Sequence, residues 1–277
     1  MTISIEAAET SEAQTLLDFE TRAPAGIRAA LGISHARIGG GVVLAMRNDP
    51  ISSWSKAMGF GFNAPVTIEL IEEIGEFYRA QGAPSREVLL APAVLPEDWP
   101  EICARTGLRE GVRRAKLACP VETMEQRGVL PTRVQVGLVS EQDAGEWGTT
   151  LVRGYGAPVE ELAGLFTALV GRPGWSAFAG RIEGRIVSTG ALFVRGETGQ
   201  CFGGATLAEA RSLGGQSALL AARIRAAQEA GCRWLVAETV AEEPGSHNPS
   251  LHNMLRLGFE VVYERSSWMF SVDRDGQ

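Results

Sequence analysis

A pair of glycines stands directly before an alanine-rich helical segment, in the run Arg211-Ser-Leu-Gly-Gly-Gln-Ser217. The first turn of a helix leaves backbone N–H groups without partners, and the helix dipole favours negative charge there. Because glycine has no Cβ, Gly214 and Gly215 let a bulky phosphate approach these N–H groups. Glycine pairs before helices are also common in ordinary loops, so the run alone is a weak signal. The segment 210–228 has no acidic residue but contains Arg211, Arg223 and Arg225, which favours a phosphate.

A second glycine pair lies in the strand-like segment just upstream, Gln200-Cys-Phe-Gly-Gly-Ala-Thr-Leu207. A glycine inside a strand is typical of a β-bulge, or of a place where another chain or a ligand comes close. The segments that follow read as helix, strand, turn, a short helix ended by Gly258, and a further strand. We therefore expect a bulged strand beside a helix N-terminus.

The pattern Arg211-x-x-Gly214-x-Gln216-x-Ala218-Leu-Leu220, with Gly231, Asn248 and Gly258-Phe259 further on, resembles the core signature of the GNAT superfamily of acyl-CoA-dependent N-acyltransferases. The resemblance implies that the turn before the helix holds the pyrophosphate of coenzyme A. It also implies that the bulged strand pairs with the pantetheine arm. The residues implied for acetyl-CoA binding are Phe202, Gly204, Ala205, Thr206, Leu207, Arg211, Leu213, Gly214, Gly215, Gln216, Ser217 and Asn248.

Three positions bear on how far the resemblance extends. Gln216 stands where the family usually has glycine or alanine, which narrows the space at the loop but keeps a backbone N–H. Met254 occupies the position where many members carry a tyrosine that protonates the leaving thiolate. Asn248 fits the family position that contacts pantetheine, although its spacing to Gly258 is one residue short, and it could instead cap the following helix. The phosphate-binding turn is thus retained, and the usual general acid is missing.

Transfer of an acyl group from a thioester to an amine requires a polarised carbonyl, a deprotonated amine and a stabilised thiolate. The resemblance and the glycine pair suggest that backbone N–H groups around 204–206 polarise the carbonyl. Glu238 is the first candidate for the base and Glu209 the second, each with a solvated strand-end carboxylate as the alternative. His247 and His252 flank Asn248 and are further candidates for base or acid, although loop histidines are more often only exposed.

The expected fold class is α/β, in the α+β sense, with two GNAT-like domains that each have a central mixed, mostly antiparallel sheet flanked by helices. The order of elements over residues 132–270 matches the GNAT architecture, including a hairpin at 182–184. The first half reads as a helix over 7–31, a strand over 54–62 that two glycines break, and a strand–helix–strand–helix–strand order that repeats the second half. We therefore predict a degenerate copy at 1–120, a linker at 121–131 and the acyltransferase domain at 132–277.

The first copy lacks the residues for phosphate binding. Where the second copy has its glycine turn, the first has Phe62-Asn-Ala-Pro-Val66, followed by a helix that begins after Thr67. That helix carries Glu69, Glu72, Glu73 and Glu76, whose carboxylates would repel a pyrophosphate. We expect that the first copy does not bind coenzyme A.

Composition limits the class of protein. The 277 residues are 45% hydrophobic and 21% charged, which is typical of an ordinary globular protein of one or two domains. A net charge of −7 argues against a broad nucleic-acid interface and suits an amine substrate, or only aids solubility. The four cysteines show no metal-ligand spacing. We expect a cytoplasmic protein with no metal, no nucleic-acid or membrane partner, and a monomeric or homodimeric state.

The function expected from these features is that of an N-acetyltransferase, which moves the acetyl group of acetyl-CoA to a primary amine of a small molecule or peptide. Transfer would be direct, in a ternary complex, because no cysteine is placed to form a clear acyl intermediate. Met254 motivates an alternative, a noncatalytic acyl-CoA-binding regulatory module. A transferase that uses a charged RNA is a third hypothesis, and the acidic charge argues against it.

Overall fold

The computed structural model describes residues 2–124, 132–157 and 159–271. The chain divides into two compact units, and each unit combines two segments of sequence. Unit 1 comprises Met1–Ser11 and Lys116–Val262, and unit 2 comprises Glu12–Ala115 and Tyr263–Gln277. The predicted domains at 1–120 and 132–277 are each one continuous segment, whereas each unit joins two segments. The predicted domain assignment is not tested by this division and stays a prediction. Most of the predicted linker at 121–131 lies outside the described residues.

The first 120 residues form four helices and five strands. The helix predicted over 7–31 is two helices, because the chain turns at Pro24 before the second one begins. The strand predicted over 54–62 is confined to three residues, since Gly59 and Gly61 adopt positive φ values of 81° and 88°. These elements are α1 Ile5–Thr21, α2 Ala25–Leu31, β1 Ile33–Ile38, β2 Gly41–Met46, β3 Lys56–Met58, α3 Ile68–Gln81, β4 Glu87–Leu89, α4 Trp99–Thr106 and β5 Leu108–Pro120.

The described residues of the second half form four α-helices and six strands. The predicted hairpin at 182–184 is confirmed, with Glu183 and Gly184 both at positive φ. The last strand, expected to begin near Phe259, runs over Glu260–Phe270. These elements are β6 Gln135–Leu138, α5 Ala144–Gly154, α6 Glu160–Thr167, β7 Trp175–Ile182, β8 Arg185–Arg195, β9 Thr198–Thr206, α7 Gly215–Glu229, β10 Trp234–Val240, α8 Pro249–Arg256 and β11 Glu260–Phe270.

The strands of unit 2 lie in the order β1-β2-β3-β4-β11, with antiparallel pairs except for parallel β3 and β4. The α3 helix supplies the apolar face that covers them, because Ile71, Ile74 and Tyr78 are fully buried with Val43 and Val88. Tyr78 also donates a hydrogen bond of 2.9 Å from its hydroxyl to the Glu87 carbonyl. Spacings of three and four residues thus place one side of α3 in the core.

The strands of unit 1 lie in the order β10-β9-β8-β7-β6. The pairs are antiparallel except for parallel β9 and β10. A Cβ at Gly190 would meet the Arg223 guanidinium of α7, and one at Gly203 would meet Leu151 of α5 and Ala191 of β8. Since neighbouring strand residues point to opposite faces, α7 and α5 cover opposite faces of this sheet. The expected mixed, mostly antiparallel sheet flanked by helices is confirmed.

Among the described residues, no helix has both the length and the apolar character needed to cross a membrane.

Candidate functional site

The N-terminus of α7 is formed as the glycine pair predicts. Gly214 is the N-cap residue and adopts the left-handed region at φ 81°, and no side chain of the described residues caps the first turn. Ser212, two residues earlier, also lies in the left-handed region at φ 64°. A Cβ on Gly215 would lie 2.8 Å from the Ser188 hydroxyl oxygen, so only glycine fits there without a shift. The first N–H groups of α7 are therefore left for another acceptor.

The predicted bulge is confirmed in β9. Thr189 pairs with Ala205 but Ala191 pairs with Phe202, so β9 has one extra residue between these positions. Gly203 lies there at φ 61°, which a residue with a Cβ rarely adopts. The parallel register of β9 with β10 runs only as far as Gln200 opposite Val236, and both strands continue beyond it. The bulge thus follows directly after the point at which the paired register ends.

The Gln216 side chain joins the two predicted elements. Its Nε2 lies 2.7 Å from the Ala205 carbonyl oxygen, 2.9 Å from the Thr206 hydroxyl oxygen and 3.3 Å from the Thr189 carbonyl oxygen. From the sequence alone, Gln216 was expected only to narrow the space at the loop. In the structure it fixes the end of β9 against the first turn of α7, which glycine or alanine could not do.

Several predicted coenzyme residues have side chains that pack inside unit 1. The Phe202 ring lies 5.9 Å from the ring of Phe166 and 5.5 Å from that of Trp175, measured between centroids. Leu207 is buried, whereas Leu213 is exposed and its carbonyl accepts a hydrogen bond from the Thr132 hydroxyl. The backbone of Leu207 is also engaged, since its N–H donates to the Val187 carbonyl and its carbonyl accepts from the Ala210 N–H, both at 2.9 Å. The assignment of Phe202, Leu207 and Leu213 to coenzyme binding stays a prediction.

The arginines on and near α7 differ in exposure and in their distance from its first turn. Arg211 is exposed beside the turn, and Arg225 is exposed further along α7. Arg223 is buried, with its Nε 3.2 Å from the Leu219 carbonyl oxygen, so its guanidinium is not exposed beside the first turn. Arg256 was missed: its Nη1 lies 3.5 Å from the Ser217 hydroxyl oxygen and 3.0 Å from Asn253 Oδ1. No sequence signal identified it, because α8 is brought to α7 only by folding.

Glu238 lies on β10 in a buried ion pair. Its Oε2 is 3.0 Å from Nζ of Lys116, a side chain that is fully buried. Glu9 lies on the other side, with its Oε1 3.9 Å from the same nitrogen. Glu209, in contrast, is exposed in the 3₁₀ turn Ala208–Ala210, and both residues stay candidates.

The two histidines come together after β10. His252 Nε2 is 2.9 Å and His247 Nδ1 is 3.5 Å from the same oxygen of Glu242. Asn248 is the N-cap of α8, where its side-chain oxygen accepts from the N–H groups of Ser250 and Leu251. Its amide also donates to Thr239 and Val240. The capping role that the sequence left open for Asn248 is confirmed, and its contact with pantetheine stays a prediction.

No protein-family model matches the chain, and no curated protein sequence matches it. Solved structures, in contrast, do resemble the chain. A GCN5-related N-acetyltransferase from Kribbella flavida has a TM-score of 0.66 at 17% identity, with 97% of this chain and 96% of that chain covered. A GCN5-related N-acetyltransferase from Sphaerobacter thermophilus has a TM-score of 0.60 at 15% identity, with coverage of 96% and 93%.

A tandem GNAT protein from the clavulanic acid biosynthesis pathway has a TM-score of 0.59 at 12% identity. It covers 95% of this chain, and this chain covers 92% of it. At these identities the similarity is one of fold. The resemblance that the glycine turn, the bulged strand and the Gly258-Phe259 pair suggested is confirmed at that level: the chain has the fold of the GNAT acetyltransferases over most of its length.

Proposed function

We propose that the protein is an N-acetyltransferase, which moves the acetyl group of acetyl-CoA to a primary amine of a small molecule or peptide by direct transfer in a ternary complex. The observation that carries the proposal is the first turn of α7, which Gly214 begins in the left-handed region and no described side chain caps. The fold shared with GNAT acetyltransferases supports it.

The pyrophosphate would be bound by the backbone N–H groups of Gly215, Gln216 and Ser217 at the positive end of α7. Arg256 and Arg211 supply positive charge nearby, since Arg256 reaches Ser217 and Arg211 precedes the turn. The pantetheine arm would lie along β9 beyond Gln200, where the pairing with β10 has ended. This direction leads from the helix end toward the bulge at 203–204.

At the bulge, backbone N–H groups that do not follow the regular ladder can polarise the thioester carbonyl. Direct transfer is supported by Cys201, the nearest cysteine, because burial raises the pKa of its thiol and so disfavours the reactive thiolate. Met254 is buried and offers no hydroxyl to the leaving thiolate. The thiolate would therefore be protonated by another group or by solvent.

The base would be Glu238 or Glu209. Loss of a general base lowers the rate about 10²- to 10⁴-fold, and the pH profile of kcat/KM reports its pKa in the free enzyme. We would compare Glu238→Gln with Glu209→Gln over a range of pH. If neither variant changes the pH profile, both carboxylates are excluded as the base. The melting temperature of each variant controls for the buried ion pair with Lys116 that Glu238→Gln removes.

The acceptor would enter beside α5. A Cβ on Gly154 would lie 2.8 Å from Ala205 Cβ and 3.1 Å from the Thr206 backbone nitrogen, so the end of α5 packs directly on the end of β9. Residues of α5 and α6 would therefore determine which amine reaches the thioester. The net charge of −7 favours a cationic acceptor over a nucleic acid. A cytoplasmic location and a monomeric or homodimeric state complete the proposal.

The decisive experiment has two steps. Acetyl-CoA binding is measured by calorimetry, and release of the free thiol is then followed with amino acids, polyamines, amine antibiotics and peptides. We expect binding, and transfer that is confirmed by a mass increase of one acetyl group on the acceptor. Binding without turnover on any amine would support the noncatalytic acyl-CoA-binding module instead. Absence of binding would contradict both functions.

A further inference from the structure

The loop between β10 and α8 brings three potential metal ligands together. Glu242 begins the loop, His247 ends it, and His252 lies in the first turns of α8. One ligand atom from each residue lies within 4.8 Å of the other two. The imidazole rings face each other at a centroid distance of 4.4 Å and an angle of 34°. Two rings and one carboxylate therefore converge on one small volume at the surface of unit 1.

The separations between these ligand atoms match those around a metal ion. Zinc binds imidazole nitrogen and carboxylate oxygen at about 2.0–2.2 Å in tetrahedral geometry, which places neighbouring ligand atoms about 3.3–3.5 Å apart. Here Glu242 Oε1 is 2.9 Å from His252 Nε2 and 3.5 Å from His247 Nδ1. The ligand nitrogens of His247 and His252 lie within 4.8 Å of each other, so a modest movement of these exposed side chains would bring all three atoms to coordination distances. Two histidines and one carboxylate leave the remaining coordination positions to water or another ligand.

The backbone around the cluster holds the ligands in place. The Asn248 N–H donates to Glu242 Oε1 at 2.5 Å, so the carboxylate is oriented before any ion binds. The Glu243 N–H donates to the Ser246 hydroxyl oxygen at 2.9 Å, and the Ser246 N–H donates to the Glu243 carbonyl at 2.9 Å. This turn returns the chain so that His247 faces α8. A preorganised ligand set of this kind loses less entropy when it binds a metal.

We propose that Glu242, His247 and His252 form a binding site for a divalent transition metal, with Zn²⁺ as the ion that fits these ligands. Imidazole ligands favour zinc and its neighbours in the transition series over Mg²⁺ and Ca²⁺, which prefer oxygen. No metal was expected from the sequence, in which the two histidines were candidates only for acid or base. The bound ion would link the loop to α8 next to its N-cap, Asn248. This site does not depend on acyl transfer.

The test uses the full chain after treatment with a chelator, and titrates it with Zn²⁺ by calorimetry without acetyl-CoA. We expect one site in the micromolar range or tighter and a raised melting temperature, because an ion that binds only the folded state stabilises it. His252→Gln and Glu242→Gln should each weaken binding at least about tenfold, and the double variant His247→Gln/His252→Gln should abolish the thermal shift. Mg²⁺ should produce neither effect.

The matched control is His35→Gln, which removes the remaining histidine of the chain, an exposed residue of β1. Zinc binding should be unchanged in this variant. The proposal is overturned if the wild-type protein does not bind Zn²⁺ at 100-fold excess over protein. It is also overturned if binding survives in the double variant, since the ligands would then be cysteines or other groups. His247 is two-thirds exposed, so His247→Gln separately tests the site with little risk to folding.

Discussion

The N-termini of α7 in unit 1 and α3 in unit 2 follow comparable positions in the two halves of the sequence, but they are capped differently. At α3 the Thr67 side chain accepts a hydrogen bond of 3.3 Å from the Leu70 N–H. Glu69 lies in its first turn, and its pKa is lowered by a hydrogen bond from its own backbone N–H and then by one from Thr67. At α7 the N-cap is Gly214, and no described side chain caps the turn.

The difference shows that a helix N-terminus can contribute either to the stability of the fold or to the binding of an anion. A threonine cap and an acidic first turn satisfy the N–H groups and the dipole from within the chain, so an external anion has little to gain. A glycine cap leaves these groups available but contributes less to helix stability. The prediction that the first copy does not bind coenzyme A is consistent with this contrast and awaits measurement.

The largest expected effect on acetyl-CoA affinity tests the open helix end. Gly214→Ala places a Cβ where a phosphate would approach, and that Cβ would also lie 3.1 Å from Thr132 Cβ. We expect the Kd for acetyl-CoA, measured by calorimetry, to rise at least about tenfold, or about 1.4 kcal/mol.

The matched control for this change is Gly231→Ala at the other end of α7. Gly231 has a similar φ of 74°, and nothing lies within 4 Å of an added Cβ. Both variants should lose similar stability from backbone strain. If they bind acetyl-CoA equally well, the turn at 213–217 is not the pyrophosphate site.

The capped helix end should respond in stability rather than in binding. Thr67→Ala removes the N-cap of α3, which costs about 1 kcal/mol of unfolding free energy in denaturant experiments. The pKa of Glu69, followed by NMR, should rise toward its ordinary value because one hydrogen bond to the carboxylate is lost. A lowered pKa stabilises the folded state above the ordinary value of 4.5, and this contribution disappears as the pH falls.

The loss of stability in Thr67→Ala should therefore be larger at neutral pH than in acid. Ser140→Ala, which removes a comparable cap from the 3₁₀ turn Glu141–Asp143 of unit 1, is the control and should leave the Glu69 titration unchanged. If Thr67→Ala altered the affinity for acetyl-CoA, the proposal that the α3 N-terminus contributes to stability and the α7 N-terminus to binding would be contradicted.

The smallest effect concerns the charge beside α7. Arg256→Gln removes the guanidinium that reaches Ser217, and a charge near a helix end is worth about 0.3–1 kcal/mol. We expect the Kd for acetyl-CoA to rise about two- to fivefold and the difference to shrink at high salt. Arg225→Gln removes the same charge from an exposed position further along α7. Equal effects of the two changes would mean that only the net charge matters.

Local features of this fold could be predicted, whereas contacts between distant segments could not. The turn at Gly214, the bulge at Gly203 and the cap at Asn248 depend on backbone preferences that are visible in neighbouring residues. The pairing of Glu238 with Lys116 and the approach of Arg256 to Ser217 join segments far apart in sequence. Periodicity fixes which side of an element is apolar, but it does not say which polar groups will meet.

The buried group of Glu9, Lys116 and Glu238 has a consequence for attempts to divide the protein. Lys116 and Glu9 precede the segment 121–131, and yet they belong to the same unit as Glu238. A fragment that begins at residue 132 would leave Glu238 inside the protein without its ammonium partner, and such a loss typically costs about 3–5 kcal/mol. Truncation at residue 132 should therefore destabilise unit 1, and a stable fragment of this unit has to retain both of its segments, Met1–Ser11 and Lys116–Val262.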